Sequence, residues 1–160
     1  MKAKTYLSFV ALVLVVLVSN CKDEGPVIQE VVCKNDKSTE LVSNMVDSLS
    51  CIDYVYNTNN KTLNIKHINT SFNCCVDGLY FQTTISVDTI TIEEFEQNGQ
   101  CNCMCLYDMD IEINNLQEQK YLIKIIEPNI GQQDIIVFEI DLAQETEGSY
   151  CVARMSYPWY

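Results

Sequence analysis

The sequence predicts an all-β fold, built as a two-sheet antiparallel sandwich and cross-linked by disulfide bonds. Short segments alternate apolar and polar residues with the period of two that is typical of a β-strand. Asn, Gly and Pro separate these segments at intervals of about 8 to 12 residues, which is the spacing of strands in a sandwich. The chain also has nine cysteines among its 160 residues, and such a density is typical of folds that use covalent cross-links.

The first twenty residues have the pattern of a signal peptide. Lys2 and Lys4 precede an apolar run from Phe9 to Val18, which is a charged region followed by a hydrophobic one. The run is too short to cross a bilayer as a helix, because a spanning helix needs about 20 apolar residues. It ends in the sequence VSNC, which resembles the lipobox of bacterial lipoproteins. The resemblance implies that residues 1–20 are removed and that acylated Cys21 anchors the protein in outer-membrane lipid.

The three residues after Cys21 are Lys-Asp-Glu. This run resembles the signal that directs Bacteroidetes lipoproteins to the outer face of the outer membrane. The resemblance implies a lipid-anchored outer-membrane protein that faces the cell exterior. A solvated tether also contains short charged runs, so display on the inner leaflet stays open as an alternative.

The remaining 140 residues predict one domain behind a linker. Residues 21–30 form a predicted flexible tether that ends with Gly25-Pro26 and its neighbours, and residues 31–160 form a predicted single β-sandwich domain. A chain of this length buries about two-thirds of its unfolded surface when it folds. A second domain is therefore not expected.

The charge balance is strongly acidic. The whole chain has a net charge of −12, and removal of the leader takes away two lysines and no acid, which gives −14. Binding to nucleic acid depends on clustered Lys and Arg, and here these residues are scattered singly. We therefore expect no nucleic-acid partner, and we leave the ligand as an unknown protein or glycan.

The first predicted strands are Ile52–Asn57 and Thr62–Thr70, which are joined by an Asn-rich turn. A second hairpin, Leu79–Val87 with Thr89–Phe95, turns at Asp88. Ahead of these strands, Ser38–Ser50 has apolar residues at helical spacing, and it fits either a short helix or an irregular lead-in strand.

The second half of the chain contains four more predicted strands. In Met104–Ile113, three apolar residues alternate with three acids, Asp108, Asp110 and Glu112, so the acids are predicted to form a solvated face. The last three predicted strands are Tyr121–Glu127, Asp134–Leu142 and Tyr150–Tyr157, and Glu147-Gly148-Ser149 is predicted as a turn.

The segment Leu116–Tyr121 refines the fold class. It resembles the corner of immunoglobulin and fibronectin type III sandwiches, in which a Leu and a Tyr five residues apart fix the chain as it crosses between sheets. The resemblance implies an immunoglobulin-like or fibronectin III-like arrangement.

Eight cysteines remain when Cys21 is set aside, and an even number in an oxidising compartment favours disulfide bonds. Cys74 and Cys75 are adjacent, so a bridge between them would close a strained ring. We therefore expect cross-links from this pair to the Cys101–Cys105 segment. The individual partners stay open, because eight cysteines allow 105 pairings. The candidates are Cys33, Cys51, Cys74, Cys75, Cys101, Cys103, Cys105 and Cys151.

A metal-binding or thiol-active protein is the alternative interpretation of the same cysteines. The cluster Cys74, Cys75, Cys101, Cys103 and Cys105 has enough thiols for a tetrahedral site. The chain has no C-x-x-C motif, however, and its single histidine is His67. We therefore predict no metal ligand set and no cofactor.

No catalytic residue is predicted. His67 has no nucleophile or orienting partner that can be identified from the sequence, and the common hydrolase, phosphate-loop and metalloprotease motifs are missing. The aromatic residues Tyr157, Trp159 and Tyr160 are a candidate contact surface. We expect a non-catalytic binding or envelope-accessory module rather than an enzyme.

Three blocks, TLNIKHINTSFNCC, DTITIEEFE and CNCMCLYDMDIEINNL, resemble a group of small Bacteroidetes outer-membrane lipoproteins that share Asn-Cys-Cys and C-x-C-x-C-L-Y-D blocks. The resemblance covers roughly residues 50–127. It implies a lipid-anchored all-β domain, and it transfers no catalytic residue.

Overall fold

The computed structural model describes residues 27–34 and 49–155. These residues form two four-stranded sheets that pack as a β-sandwich. The strands are β1 (Leu49–Asn57), β2 (Thr62–Asn73), β3 (Gly78–Ser86), β4 (Thr89–Gln97), β5 (Met104–Ile113), β6 (Lys120–Ile126), β7 (Ile136–Asp141) and β8 (Glu147–Ala153). The prediction of an all-β sandwich is thereby confirmed.

The first sheet has the order β5-β2-β1-β8 and is antiparallel throughout, whereas the second sheet has the order β3-β4-β6-β7 and is mixed. In the second sheet β4 pairs with β6 in parallel, so the prediction of a wholly antiparallel sandwich is wrong at this pairing. The chain leaves β4, runs through β5 in the opposite sheet and returns as β6, and a parallel pair requires such a crossover. Alternation in the sequence predicts which residues face inward, but it does not predict which strand lies alongside.

Alternation does account for the core. In β1 the buried residues Ile52, Tyr54 and Tyr56 alternate with exposed ones, and in β5 Met109, Ile111 and Ile113 are buried as predicted. Burial of each such side chain contributes about 1.5–3 kcal/mol. The second sheet covers them with its own inward residues, among them Leu79, Ile90, Ile92, Ile123, Ile125 and Phe138.

A β-bulge in β2 changes which residues face the core. The register against β5 shifts between Ile68 and Thr70, and Asn69 between them has a φ of 65°, a left-handed conformation that Asn adopts more readily than most residues. The extra residue shifts the alternation of inward-facing and outward-facing side chains by one position. His67 and Thr70 therefore both point into the sandwich, and both are fully buried.

The predicted turn at Glu147-Gly148-Ser149 is wrong, because these residues begin β8 and pair with β1. Gly148 lies opposite Tyr54, and a Cβ at this position would come within 2.6 Å of the Tyr54 hydroxyl. Glycine is therefore needed here for the close approach of a ring, and not for a turn.

The segment between β5 and β6 crosses from one sheet to the other. Leu116 is buried, and the backbone N–H of Gln117 donates to the hydroxyl of Tyr121 over 3.1 Å. The hydroxyl of Tyr56 donates to the carbonyl of Leu116 over 2.9 Å. Two tyrosines thus fix the corner, one from each sheet.

The N-terminal segment, residues 27–34, lies across one open side of the sandwich. Gln29 and Leu79 exchange two backbone hydrogen bonds, of 2.8 and 3.1 Å, and the Gln29 side chain bonds to the backbone of Asp110. Further along, the backbone N–H of Lys34 donates to the carbonyl of Leu106. The segment therefore joins edge strand β3 of one sheet to edge strand β5 of the other, and its contacts begin within the predicted tether.

Several predictions fall on residues outside the described ones. These are the signal peptide, the lipidation site Cys21, residues 38–48 of the ambiguous lead-in, and the aromatic residues Tyr157, Trp159 and Tyr160. Leu49 and Ser50, the last two residues of that lead-in, belong to β1. Within residues 27–34 and 49–155, no helix has the length and apolar character that crossing a membrane requires.

Candidate functional site

The structure pairs all eight of the remaining cysteines. The bridges are Cys33–Cys105, Cys51–Cys151, Cys74–Cys103 and Cys75–Cys101, with Cα–Cα distances of 5.7, 4.1, 5.6 and 5.7 Å. Cys74 and Cys75 therefore bridge to the Cys101–Cys105 segment, while Cys105 itself bonds to the N-terminal segment. All four Cα–Cα distances are close to or within the range that disulfide geometry requires.

Two of these bridges form a four-sulfur cluster, which consists of Cys74, Cys75, Cys101 and Cys103. The first two cysteines directly follow β2, and the last two lie within the three residues that precede β5. Because β2 and β5 are antiparallel neighbours that end with Asn73 opposite Met104, the two segments emerge side by side. The four sulfur atoms lie within 4.8 Å of one another, and those of the adjacent pair Cys74 and Cys75 are 3.9 Å apart.

Asn73 holds the backbone of the four-sulfur cluster. Its side-chain oxygen accepts hydrogen bonds from the N–H groups of Cys75 and Cys101, over 3.0 and 3.2 Å, and its amide donates to the Cys101 carbonyl. The hydroxyl of Tyr107 donates to the Asn73 carbonyl over 2.9 Å. A Cβ on Gly99 would lie only 2.7 Å from the Cβ of Asn73. The loop therefore needs glycine at this position, where its backbone passes close to the Asn73 side chain.

The other two bridges have separate positions. Cys51 and Cys151 are directly opposite each other in the β1–β8 pair and lie on the outer side of the sheet, where Cys151 is exposed. Cys33 joins the N-terminal segment to Cys105, whose side chain is fully buried. These bridges tie an edge strand and a terminal segment to the sandwich.

A second cluster lies between the two sheets and was not predicted. Nδ1 of His67 is 2.6 Å from Oε1 of Glu94, and Nε2 of His67 is 2.8 Å from the hydroxyl oxygen of Ser50. The hydroxyl of Thr70 donates to the other carboxylate oxygen of Glu94 over 2.8 Å. Ser50, His67 and Thr70 are 0% exposed and Glu94 is 1% exposed, so this buried polar network links β1 and β2 to β4.

Two more charged residues complete the buried polar network. Oε1 of Glu127 lies 3.7 Å from Nε2 of His67, and Arg154 donates to Oε2 of Glu127 and, over 2.8 Å, to the carbonyl of Asp134. Two carboxylates thus face one guanidinium and one imidazole. Glu127 Oε1 and Arg154 Nε are buried without a hydrogen-bond partner, so only the opposite charges nearby offset the cost of burying these two atoms.

The pKa of His67 is raised above its ordinary value of 6.5. Burial lowers this pKa, but the carboxylate of Glu94, which both attracts and hydrogen-bonds the imidazole, outweighs the burial, with help from Glu127. Burial, together with the nearby charge of Glu94, raises the pKa of Glu127, and the opposing effects of His67 and Arg154 do not cancel this rise.

The order Ser50, His67, Glu94 has the connectivity of a hydrolase triad, in which a carboxylate orients the histidine that activates a serine. Both Ser50 and His67 are completely buried, so a substrate carbonyl has no approach to the hydroxyl in this conformation. The arrangement therefore joins strands and does not present a nucleophile.

The sequence contained one signal for this network. His67 continues the inward series of Leu63 and Ile65, and Glu94 continues the inward series of Ile90 and Ile92. An ionisable residue at a core position implies a buried partner, and two such positions on different strands could have been matched.

The outer face of the first sheet is acidic and solvated, as predicted from β5. Asp110 and Glu112 are exposed, and Asp108 pairs with Lys34. The cross-strand register also places Lys66 between Asp53 and Asp110, which offsets part of the repulsion between the acids.

The comparisons with known proteins return no match for this chain. No family model matches its sequence, no curated protein is found to be similar, and no solved structure shares its fold at a significant level.

Proposed function

We propose that the protein is a lipid-anchored, surface-exposed, non-catalytic binding or envelope-accessory module with structural disulfides. The observation that carries this proposal is the placement of the reactive side chains. Each of the eight cysteines is paired, and the Ser50–His67–Glu94 set is sealed between the sheets. Side chains that could perform chemistry are instead used to connect segments of the chain.

The anchor in this proposal is acylated Cys21 in the outer membrane. Only five residues separate Cys21 from Val27, and an extended chain spans at most about 3.6 Å per residue. The domain is therefore held close to the lipid headgroups on a short tether. An acidic surface keeps such a domain soluble and away from anionic headgroups, which suits a protein or glycan ligand.

The proposal includes kinship with the immunoglobulin and fibronectin III sandwiches. The order β1-β2-β5 in one sheet corresponds to strands A, B and E of that architecture, and the Tyr121 corner lies at the start of β6, the counterpart of strand F. The second sheet differs from that architecture in one respect: β4, and not β3, lies beside β6. The positions of β3 and β4 are therefore exchanged.

The anchor is tested by producing the full chain in a Bacteroidetes host that is fed a labelled fatty acid. We expect label in the wild type, recovery in the outer-membrane fraction and digestion by protease added to intact cells. The Cys21→Ser variant is the matched control and should carry no label. A wild-type protein that is soluble and unlabelled would contradict the proposal.

The non-catalytic character is tested with a fluorophosphonate probe, which labels activated serines. We expect no labelling of the folded wild type, because Ser50 is inaccessible. Labelling that disappears in the Ser50→Ala variant would instead identify a hydrolase, and it would overturn the proposal.

A further inference from the structure

We propose that the four-sulfur cluster becomes a tetrahedral thiolate site for a thiolate-binding divalent metal ion, such as Zn²⁺, when its two disulfides are reduced. The cluster consists of Cys74, Cys75, Cys101 and Cys103. This inference goes beyond the binding-module function, because it concerns the reduced form of these four cysteines, whereas that function uses them as disulfides.

The distances fit such a site. A tetrahedral zinc ion with Zn–S bonds of about 2.3 Å holds its sulfurs about 3.8 Å apart. The sulfurs of Cys74 and Cys75, which are not bonded to each other, are already 3.9 Å apart, and all four lie within 4.8 Å. Reduction allows the bonded sulfurs to separate, and small side-chain rotations then place four ligands around one ion.

The backbone that carries these cysteines is held by bonds that do not involve sulfur. Asn73 is buried and bonds to both cysteine segments, and the N–H of Cys74 donates to the carbonyl of Cys103 over 3.2 Å. Behind them, β2 and β5 pair from Leu63 with Ile113 to Asn73 with Met104. The four thiols therefore stay close together after the bridges open, and this preorganisation lowers the entropic cost of binding an ion.

Both a reductant and an ion can reach the cluster. Cys74 is half-buried, while Cys75 and Cys103 are exposed. The contrast is with Cys105, which is fully buried in the core. The chain is also acidic overall, with a net charge of −12, so its field attracts cations.

The redox step balances with a dithiol reductant. Each disulfide takes up two electrons and two protons from one dithiol, which is oxidised to its own disulfide. Two equivalents thus yield four thiols. Binding of the divalent ion then displaces four protons and leaves a tetrathiolate centre.

The experiment uses the purified full chain and Co²⁺ as a spectroscopic probe. The protein is reduced without oxygen, freed of reductant by gel filtration and titrated with Co²⁺. We expect one ion per chain, with the visible bands and sulfur-to-metal charge-transfer band of tetrahedral thiolate cobalt, and displacement by one equivalent of Zn²⁺ in native mass spectrometry. The oxidised chain should bind neither ion.

Variants assign the site. Cys75→Ser with Cys101→Ser removes two ligands and should abolish the thiolate bands, and so should Cys74→Ser with Cys103→Ser. The matched control, Cys51→Ser with Cys151→Ser, removes the same number of thiols elsewhere and should keep the full spectrum. Circular dichroism reports whether each variant retains its β-structure.

Absence of the cobalt bands in the reduced wild type, whether folded or unfolded, overturns the inference. So does equal binding by either cluster variant. Neither result would contradict the proposal of an anchored module, because that proposal is tested separately by the fatty-acid and serine-probe experiments.

Discussion

Nδ1 of His67 lies 2.6 Å from Oε1 of Glu94, and this contact joins the two sheets in the middle of the sandwich. Each partner compensates the cost of burying the other. Loss of one partner of a buried ion pair leaves an uncompensated charge, which costs about 3–5 kcal/mol.

We therefore expect His67→Leu to lower the free energy of unfolding by about 3–5 kcal/mol, measured by urea denaturation. The control is Asp53→Asn on the exposed face of β1, which should change stability by less than about 0.5 kcal/mol. If His67→Leu were as mild as the control, the imidazole would not be charged in the folded state.

Stability should fall as the pH rises from 6.5 through the folded-state pKa of His67. The folded-state pKa of His67 is raised above 6.5, so its contribution is fully present below pH 6.5 and is lost as the pH rises through the folded-state pKa. The raised pKa of Glu127 acts in the same direction. One proton corresponds to at most about 1.4 kcal/mol per pH unit.

His67 is the chain's single histidine, so its imidazole C–H resonance in an NMR titration reports this pKa directly. We expect a midpoint above that of the urea-unfolded chain. A folded-state midpoint below the unfolded one would mean that burial outweighs the two carboxylates.

The corner hydroxyl of Tyr121 accepts a hydrogen bond from the backbone of Gln117. Tyr121→Phe leaves this N–H without its partner, and we expect a loss of about 1–3 kcal/mol in the free energy of unfolding. Tyr80→Phe is the control, because the stacking of Tyr80 on Phe95 does not need a hydroxyl. Equal melting curves for the two variants would argue against a role for the corner.

The disulfides should differ in their contribution to stability. Cys51 and Cys151 are separated by 100 residues, and Cys75 and Cys101 by 26. Loop-closure entropy gives about 4.7 kcal/mol for the longer loop and about 3.5 kcal/mol for the shorter one. Replacement of each pair by Ala, followed by urea denaturation, should show this order; the reverse order would mean that local contacts outweigh chain entropy.

The tip of the β3–β4 hairpin is strained. Val87 has a φ of 57° and is 89% exposed, and a β-branched residue in this conformation is unusual. Val87→Asn should raise the free energy of unfolding by about 1 kcal/mol, since Asn tolerates the left-handed region. Thermal unfolding of the variant and the wild type measures this gain. Val32→Asn, which replaces another exposed valine, is the control and should give no such gain.

The pattern of side chains predicts which residues face the core between the two sheets, but it does not predict which strands are neighbours within a sheet. Ile111 and Ile113 had to face inward because they alternate with acids, and the Asn-rich turn fixed the β1–β2 hairpin. The parallel pairing of β4 with β6 depends instead on long-range packing, which a period of two does not encode. The shift at Asn69 was likewise hidden, because nothing in the local alternation marks a bulge.

For the four-sulfur cluster, the sequence predicted that two cysteine segments lie side by side, but it did not predict which cysteines are bonded to each other. The partners of Cys74 and Cys75 depend on how the β2 and β5 ends are offset, which is decided by the β2–β5 register. The contact of Ser50 with His67 was beyond prediction, because Ser50 fell in a segment whose secondary structure was ambiguous.

The segment at residues 27–34 determines how the domain carries mechanical load. Tension applied to the chain ahead of Val27 first meets the backbone bonds of Gln29 to Leu79 and then the covalent link from Cys33 to Cys105. Force therefore enters β5 at its beginning, beside the four-sulfur cluster, and is spread along the β2–β5 ladder. A domain pulled at this point resists unfolding for as long as the disulfide between Cys33 and Cys105 is intact.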